Sequence, residues 1–235
     1  MKTTILSAMI ALTAGSLIAA DSSLKDEISN AAKALGEKAN YSWKTTVVVP
    51  DDAQFRPGPT DGTSEKDGYT HVKMTFFDNP FEIVMKGERV AYVDQEGNWQ
   101  LVSDSADAEG PGMFMSMIAE NVLTPVKEAA DLALYAKELK KDEDAYSSDL
   151  TEDGAKALQA FRGGPAGSSP TVSNAKGSVK FWLKDGQLTK YEFKVKGTVD
   201  WNGNSFDNDR TTTVEIKDVG TTKVEVPEAA KKKFS

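Results

Sequence analysis

The chain has 235 residues, a formal net charge of −8, one histidine and no cysteine. The negative charge argues against nucleic acid as a partner and against general adhesion to anionic lipid headgroups. Without cysteine there is no disulfide, no lipid-attachment cysteine and no thiol nucleophile. A single histidine also argues against a zinc site. We therefore expect neither a metal nor a cofactor.

The first twenty residues predict a secretory signal peptide. Lys2 supplies the positive start, Ile5–Ile18 is mostly apolar, and Ala19-Ala20 provides the small residues that precede a cleavage site. The apolar run is short for a membrane span. We therefore expect cleavage after Ala20, a periplasmic or secreted location, and a single domain over residues 21–235, since about 215 residues suffice for one core.

In chain order, the first predicted element is a helix over Leu24–Ala39, where apolar residues recur every three or four positions. Ser22 or Ser23 is the predicted N-cap of this helix. Alternating apolar and polar residues then predict a strand over Tyr41–Val49. The stretch from Pro50 to Gly68 is polar and rich in Pro, Gly and Asp, and it predicts a long loop.

The stretch Tyr69–Val102 predicts a four-stranded antiparallel meander with one apolar face. Alternate residues of a strand share a face, and tight turns are expected at Asp78-Asn79, Gly87-Glu88 and Glu96-Gly97. These turns set the following residues opposite each other: Phe76 and Phe81, Met74 and Ile83, Val72 and Met85, Met85 and Val90, Ile83 and Tyr92, Tyr92 and Leu101. The other face is expected to contact water; it carries Lys73, Thr75, Glu82, Lys86, Gln100 and the sole histidine, His71.

Helical periodicity follows over Met113–Lys141, with an interruption at Thr124-Pro125. Proline is favourable in the first turn of a helix, so Pro125 predicts the start of a second helix. Asp142–Asp149 is predicted to be a charged linker. Leu150–Phe161 predicts a short helix with Thr151 as its N-cap.

A further hairpin is predicted around Asp185-Gly186, after a Gly/Pro/Ser-rich loop over Gly163–Ser173. A two-residue turn would place Phe181 opposite Lys190. A three-residue loop, Lys184–Gly186 with Gly186 in the left-handed region, avoids this mismatch. It sets two pairs opposite each other, Val179 with Tyr191 and Trp182 with Leu188.

The last part of the chain contains a stretch rich in Asn, Gly and Asp, Trp201–Asp209, which predicts a loop. Its oxygen-bearing side chains could surround calcium, but these residue types also favour an ordinary turn. Strands are predicted over Thr211–Lys217 and Lys223–Val226. The order of strands and helices therefore predicts an α+β fold with an antiparallel sheet.

Methionine and aromatic residues would converge if the helices pack on the concave face of this sheet. Methionine adapts to irregular partners, a property that suits acyl chains. An ordinary filled core explains the same residues equally well.

The order of elements resembles that of the LolA and LolB periplasmic lipoprotein carriers and of the related mycobacterial lipid-binding lipoproteins. It is a helix and strand (Leu24–Ala39, Tyr41–Val49), a meander, central helices, and a final antiparallel set (Gly177–Val226). The resemblance implies a curved, unclosed β-barrel whose concave face is covered by the N-terminal and central helices. It also implies a hydrophobic space for acyl chains and no catalytic residue. The family has a functional arginine, which we do not assign in this chain. None of its four arginines offers a clear match: Arg56, Arg89, Arg162 and Arg210.

We therefore expect a monomeric, non-enzymatic periplasmic carrier or binding protein that shields an acyl chain or the anchor of an acylated lipoprotein. It would open when the Met113–Val122 helix swings on Gly110–Gly112. The alternative is a non-catalytic envelope protein–protein interaction module with a filled core. A carboxylate hydrolase is a third hypothesis, although no acidic pair lies in an apolar segment. The residues predicted to line the groove are Val72, Met74, Phe76, Phe81, Ile83, Met85, Tyr92, Leu101, Met113, Phe114, Met117, Phe181, Tyr191 and Phe193.

Overall fold

The computed structural model describes residues 14–53, 56–76, 79–105, 110–160, 170–201 and 203–235. Five helices lie in this part of the chain: α1 Ala14–Gly36, α2 Pro111–Asn121, α3 Pro125–Tyr135, α4 Glu152–Ala157 and α5 Glu228–Lys231. Short 3-10 segments cover Val102–Ser105 and Lys232–Phe234.

Eleven antiparallel strands form one sheet in the order β6-β5-β4-β3-β2-β1-β11-β10-β9-β8-β7. The strands are β1 Asn40–Val48, β2 Thr60–Glu65, β3 Thr70–Phe76, β4 Asn79–Lys86, β5 Arg89–Val93, β6 Trp99–Leu101, β7 Lys140–Asp142, β8 Ala145–Asp149, β9 Thr171–Lys184, β10 Gln187–Trp201 and β11 Asn204–Lys217. β6 and β7 are the edge strands of the sheet, each paired on one side only, so the sheet does not close. The predicted fold class, an α+β unclosed barrel with helices over its concave face, is confirmed.

α1 begins at Ala14, inside the predicted signal peptide, and residues 1–13 lie outside the described residues. The helix runs through Ser22 and Ser23, so neither serine caps it in the full-length chain. The buried face of α1 is the predicted one and includes Ile28 and Leu35. Cleavage after Ala20 stays a prediction.

The long loop predicted from Pro50 to Gly68 is wrong in part, because it contains β2. No residue of β2 is hydrophobic, so hydrophobic periodicity could not detect it. The strand instead pairs with β1 and β3 on its two sides. The Trp43 ring lies against Gly62, where a Cβ atom would come within 2.1 Å of it. β2 therefore joins β1 to β3 through the hydrogen bonds of its backbone.

The four-stranded meander is confirmed. Of its three strand-pairing registers, only that of β4 with β5 is the predicted one. Gly87 has a φ of 59°, and Ile83 pairs with Tyr92, as expected for a tight turn at Gly87-Glu88. The β3–β4 hairpin is shifted: Phe76 pairs with Asn79, so Met74 lies opposite Phe81. This shift moves the partner by two residues, so each side chain stays on its predicted face.

The third register of the meander was predicted wrongly. Ala91 pairs with Leu101, and Tyr92 pairs with Gln100. The reason is a longer loop, in which the Asp94 carboxylate accepts hydrogen bonds from the backbone of Glu96 (2.9 Å) and Asn98 (2.8 Å). A change of one residue reverses the faces of a strand. Leu101 therefore lies on the outer face of the sheet.

The predictions for the middle of the chain are partly right. Pro125 begins α3, and the Thr151 hydroxyl accepts a hydrogen bond from the backbone of Gly154 at 3.0 Å, as expected for an N-cap. The helix predicted up to Lys141 ends at Tyr135. The predicted linker contains β8, which pairs with β7 and β9 and buries Tyr146.

The β9–β10 hairpin has the predicted partner strands but a different turn. Asp185 and Gly186 both have positive φ, 52° and 72°, and form the two-residue turn that the sequence analysis had rejected. The register then shifts by one residue between Leu188 and Lys190. This β-bulge restores the apolar face and sets Phe181 opposite Tyr191, instead of the predicted pairing of Val179 with Tyr191.

The C-terminal part of the chain departs most from expectation. The predicted loop Trp201–Asp209 lies almost entirely in β10 and β11, and Lys223–Val226 is not a strand. The segment around α5 covers the outer face of the meander, where it packs on Val84 and Ala91. This outer face was expected to contact water throughout, and that expectation is wrong.

Candidate functional site

The concave face of the sheet is covered by helices, and the coverage differs between its two halves. Over β8–β11 and β1, α1 and α3 pack closely on each other and on the sheet. Small side chains allow this close approach; the buried alanines are Ala31, Ala32, Ala129, Ala133 and Ala136. Beneath them Phe181, Tyr191 and Phe193 are buried. We call this region the sealed half.

Polar contacts at its edge fix α1 in the sealed half. The Lys25 ammonium group donates a hydrogen bond to the Ala136 carbonyl at 2.7 Å. The Tyr146 hydroxyl donates to the Glu27 carboxylate, and Lys141 lies 3.1 Å from the same carboxylate. The hydrogen bond from Tyr146 is the main cause of a lowered pKa of Glu27. Together these contacts tie α1 to the β7–β8 hairpin and to the end of α3.

In the half of the sheet formed by β3–β5, α2 packs on β5 and on the 3-10 segment Val102–Ser105, and both fully buried and partly buried apolar side chains are present. We call this region the soft half. Met113, at the start of α2, is 39% exposed. Seven further apolar side chains of the soft half are only partly buried: Met74, Met85, Val90, Val102, Met115, Ile118 and Val122. Methionine is flexible and polarizable, so these residues can pack around partners of variable shape.

Both ends of α2 are joined to the rest of the chain by non-helical backbone. Gly110 precedes the helix with φ 61° and ψ −133°, a conformation that is essentially restricted to glycine. Val122 follows it in an extended conformation, with φ −70° and ψ 126°. No side chain caps the N-terminus of α2. Movement of α2 on these two flanking residues stays a prediction.

The residues predicted to line a groove fall into four groups. Val72, Phe81, Ile83 and Tyr92 are at most 3% exposed and form the floor beneath α2. Met74, Met85, Phe114 and Met117 are partly buried, and Met113 is exposed. Phe181, Tyr191 and Phe193 lie in the sealed half.

Leu101 requires a correction, because it packs with Trp99 and Ala91 on the outer face. The side chain of Phe76 lies outside the described residues. Nine of the predicted residues belong to or pack against the concave core: Val72, Met74, Phe81, Ile83, Met85, Tyr92, Phe181, Tyr191 and Phe193. In α2 the residues at this core are Met115, Ile118 and Ala119, instead of the predicted Met113, Phe114 and Met117. A role as a lipid groove stays a prediction.

A polar cluster that the sequence analysis missed lies beneath α3. The Tyr191 hydroxyl donates to the Glu128 carboxylate at 2.6 Å. Burial raises the pKa of Glu128, and the hydrogen bond from Tyr191 and the charge of Arg210 only partly offset this. Burial also raises the pKa of Tyr191. One signal was available: Glu128 lies one helical turn before the buried Leu132, on the apolar face of α3.

Arg210 is the cationic member of this cluster. Its Nη2 atom donates to the Leu158 carbonyl at 2.6 Å, whereas its buried Nε atom has no hydrogen-bond partner among the described residues. Burial lowers the pKa of Arg210. The cluster thus places one acid, one phenol and one guanidinium group in an otherwise apolar interior.

His71 is not the solvated residue that was expected, because it is only 4% exposed. Its Nε2 atom lies 2.7 Å from the Glu82 carboxylate, and its Nδ1 atom lies 2.7 Å from the Glu225 carbonyl. Arg89 donates to the carbonyls of Lys233 and Phe234 at 2.6 and 3.0 Å. These contacts hold the C-terminal segment against the outer face.

In the described part of the chain, no three His, Cys, Asp or Glu side chains are grouped as metal ligands. Asp209, from the candidate calcium loop, instead lies 2.6 Å from Lys196 and 3.5 Å from Lys194. A depression of about 490 Å³ lies on the outer face of β8–β10 and is lined mainly by polar residues. No described helix combines the length and hydrophobicity needed to cross a bilayer.

Neither a family model nor a curated protein sequence matches the chain. Among solved structures it is similar to the lipoprotein LppX of Mycobacterium tuberculosis, with 11% identity, a TM-score of 0.44, and coverage of 88% of this chain and 100% of that one. LprF of Mycobacterium bovis has 10% identity, a TM-score of 0.44, and coverage of 89% and 98%. A LolA superfamily protein of Nitrosomonas europaea has 10% identity, a TM-score of 0.36, and coverage of 87% and 94%.

Proposed function

We propose that the protein binds lipid and shields an acyl chain between α2 and strands β3–β5. The observation that carries this proposal is the concentration of the described methionines, all partly buried or exposed, in the soft half, whereas the partly buried apolar residues of the sealed half include no methionine. The similar solved structures share too little sequence and too little geometry to support a ligand. The proposal therefore rests on the residues of this chain.

The energetics of burial favour such a ligand. Each methylene group removed from water stabilises the bound state by about 0.8 kcal/mol, so about ten methylenes contribute about 8 kcal/mol. Val72, Phe81, Ile83 and Tyr92 are at most 3% exposed, so the proposal requires the cover to open before a ligand can reach them. An acyl chain would enter after α2 has moved away from β5, and would replace the helix's contacts with its own.

The wider role that we propose is a non-enzymatic carrier in the periplasm, or a secreted binding protein, that acts as a monomer. A free lipid or the anchor of an acylated lipoprotein is the proposed cargo. The predicted signal peptide supports export, and the unclosed sheet supports access from one side.

The direct test is native mass spectrometry of the protein purified from its own host compartment, followed by titration with a fluorescent fatty acid. We expect co-purified lipid and enhanced probe fluorescence. Met74→Gln/Met85→Gln should weaken probe binding at least tenfold, because both side chains lie in the soft half. The matched control is Val126→Gln/Ile216→Gln, which alters two partly buried residues of the sealed half.

The control variant should lose stability but bind the probe with nearly unchanged affinity per folded molecule. If neither lipid nor probe binds the wild-type protein, the proposal is wrong. The second candidate, an envelope protein–protein interaction module with a filled core, would then be favoured by the complete burial of Val72 and Ile83.

A further inference from the structure

Positive charge is concentrated on the outer face of β7–β10, although the chain as a whole is acidic. Alternate residues of these strands point away from the helices, because the intervening ones, such as Val179 and Phe181, are buried beneath them. The lysines that share this outer face are Lys140, Lys176, Lys180, Lys184, Lys190, Lys194 and Lys196.

Trp182 lies at the centre of these lysines. It pairs with Lys190 on β10 and with Ala145 on β8. The Lys180 and Lys190 ammonium groups lie 5.0 and 4.5 Å from the centre of the indole ring, within the range of cation–π contacts. The ring is partly exposed. We call Trp182 and its surrounding lysines the Trp182 patch.

Most of this positive charge is not neutralised within the protein. Lys194 and Lys196 form ion pairs with Asp209. Among the described residues, the other five lysines have no carboxylate within 4.0 Å. Carboxylates are nevertheless present on the same face of β7–β10, namely Asp142, Asp149, Glu192 and Asp200. Lysine is therefore in excess on β7–β10, although Glu215 of the neighbouring β11 lies directly opposite Lys190.

We propose that the Trp182 patch docks the protein on an anionic phospholipid surface. Lysines near such a surface each contribute about fivefold to binding, which corresponds to about 1 kcal/mol. Tryptophan prefers the headgroup region of a bilayer, where its ring is buried and its polar edge is hydrated. The overall charge of −8 argues against adhesion through the whole surface, but not through a segregated patch.

A protein partner fits this face less well. Protein interfaces are depleted in lysine and enriched in arginine, and the face carries seven lysines and no arginine in β7–β10. Six of the seven lysines are spread along two strands of 14 and 15 residues, so they suit a mobile field of headgroups better than one fixed contour. Three of the seven lysines and three serines also line the 490 Å³ depression, beside three carboxylates.

Docking through the outer face leaves the helices free. α1, α3 and α4 pack on the opposite, concave face of the same strands, and α2 lies on the other half of the sheet. The proposed docking therefore does not depend on a lipid-binding groove, and failure of one proposal leaves the other intact.

The test is co-sedimentation of the chain lacking residues 1–20 with vesicles of phosphatidylcholine alone or with about one third phosphatidylglycerol. Binding is expected only to the anionic vesicles and should weaken as salt is raised. Lys180→Gln/Lys190→Gln should reduce the affinity about 30-fold, the product of two lysine contributions. Lys33→Gln/Lys127→Gln, on exposed positions of α1 and α3, makes the same change in net charge and should bind like the wild type.

A second measurement identifies the contact face. Lipids brominated near the headgroup should quench part of the tryptophan fluorescence, and Trp182→Phe should abolish most of that quenching. Equal losses in the two lysine variants, or equal binding to neutral vesicles, would overturn the proposal. Absence of binding to anionic vesicles would also overturn it and would leave an acidic protein as the occupant of the patch.

Discussion

The two halves of the concave face are built from the same sheet but are covered in different ways. In the sealed half, two helices approach closely through alanines, and tyrosine and phenylalanine fill the space beneath them. In the soft half, one helix of 11 residues lies over methionines that stay partly exposed. Alanine contacts hold two helices in one arrangement, whereas methionine contacts tolerate several. In the proposed function the sealed half is the scaffold and α2 is the cover that moves.

The largest expected contrast between the halves is in the cost of truncating a side chain. Leu132→Ala removes a fully buried side chain of α3 and should lower the free energy of unfolding by about 2–5 kcal/mol. Met115→Ala removes a partly buried side chain of α2, and its cost should be below about 2 kcal/mol, because the site can relax. Chemical denaturation measures both. Equal costs would mean that the soft half is packed like the sealed half.

A smaller effect is expected from Gly110, which sets the approach to α2. Gly110→Ala forces an L-residue into a glycine-only conformation and should cost about 1–3 kcal/mol. No atom lies within 4 Å of the added Cβ atom, so only the backbone conformation is changed. Amide hydrogen exchange should become faster in α2 and stay unchanged in α1 and α3.

Gly186→Ala is the matched control for this experiment. Gly186 also has a positive φ and open space around its Cβ position, but it lies in the β9–β10 turn. It should leave exchange in α2 unchanged. Faster exchange in α1 after the Gly110 substitution would show that the two halves do not move independently.

The smallest contrast concerns pH and the polar cluster of the sealed half. Because the pKa of Glu128 is raised above its ordinary value of 4.5, folding favours its protonated form. Its contribution to stability is therefore lost as pH rises from about 4.5 through the folded-state pKa, by about 1.4 kcal/mol for each unit of the shift. Glu128→Gln should gain stability relative to the wild type over this window.

Glu152→Gln provides a control of opposite sign. The hydrogen bond and charge of Lys156 lower the pKa of Glu152. Wild-type stability from this pair is present above pH 4.5 and is lost as pH falls through the folded-state pKa, so this variant should lose stability relative to the wild type as pH rises. Parallel pH profiles for the two variants would contradict the assignment of Glu128.

The fold class and most strands could be predicted from alternation and turn chemistry, but the registers could not. The tight turn between β4 and β5 requires a positive φ, which Gly87 adopts, and this turn determined the register of that hairpin. At Asp185-Gly186 the turn signal was equally strong, yet a bulge near Thr189 also sets the pairing. The position of a bulge depends on how the apolar faces of two long strands align. The residues around the turn do not determine that alignment, so the bulge could not be predicted from them.

Other features depend on contacts between residues far apart in the chain. β2 has no apolar residue, and its place in the sheet is explained by its neighbours β1 and β3. His71 is buried by a segment 154 residues later. For the candidate site, the inward faces of β3–β5 were predictable from alternation. The difference between the two halves was not, because it depends on which helix lies over which strands.

An open sheet has two edges at which a second copy of the chain could add a strand. Here each edge strand has only three residues, Trp99–Leu101 in β6 and Lys140–Asp142 in β7. All three residues of β7 are charged and exposed. Two such short edges offer a neighbouring chain few backbone hydrogen bonds, and the charges of β7 also repel its approach. The protein can therefore keep its barrel open without inviting the strand-by-strand growth that leads to fibrils.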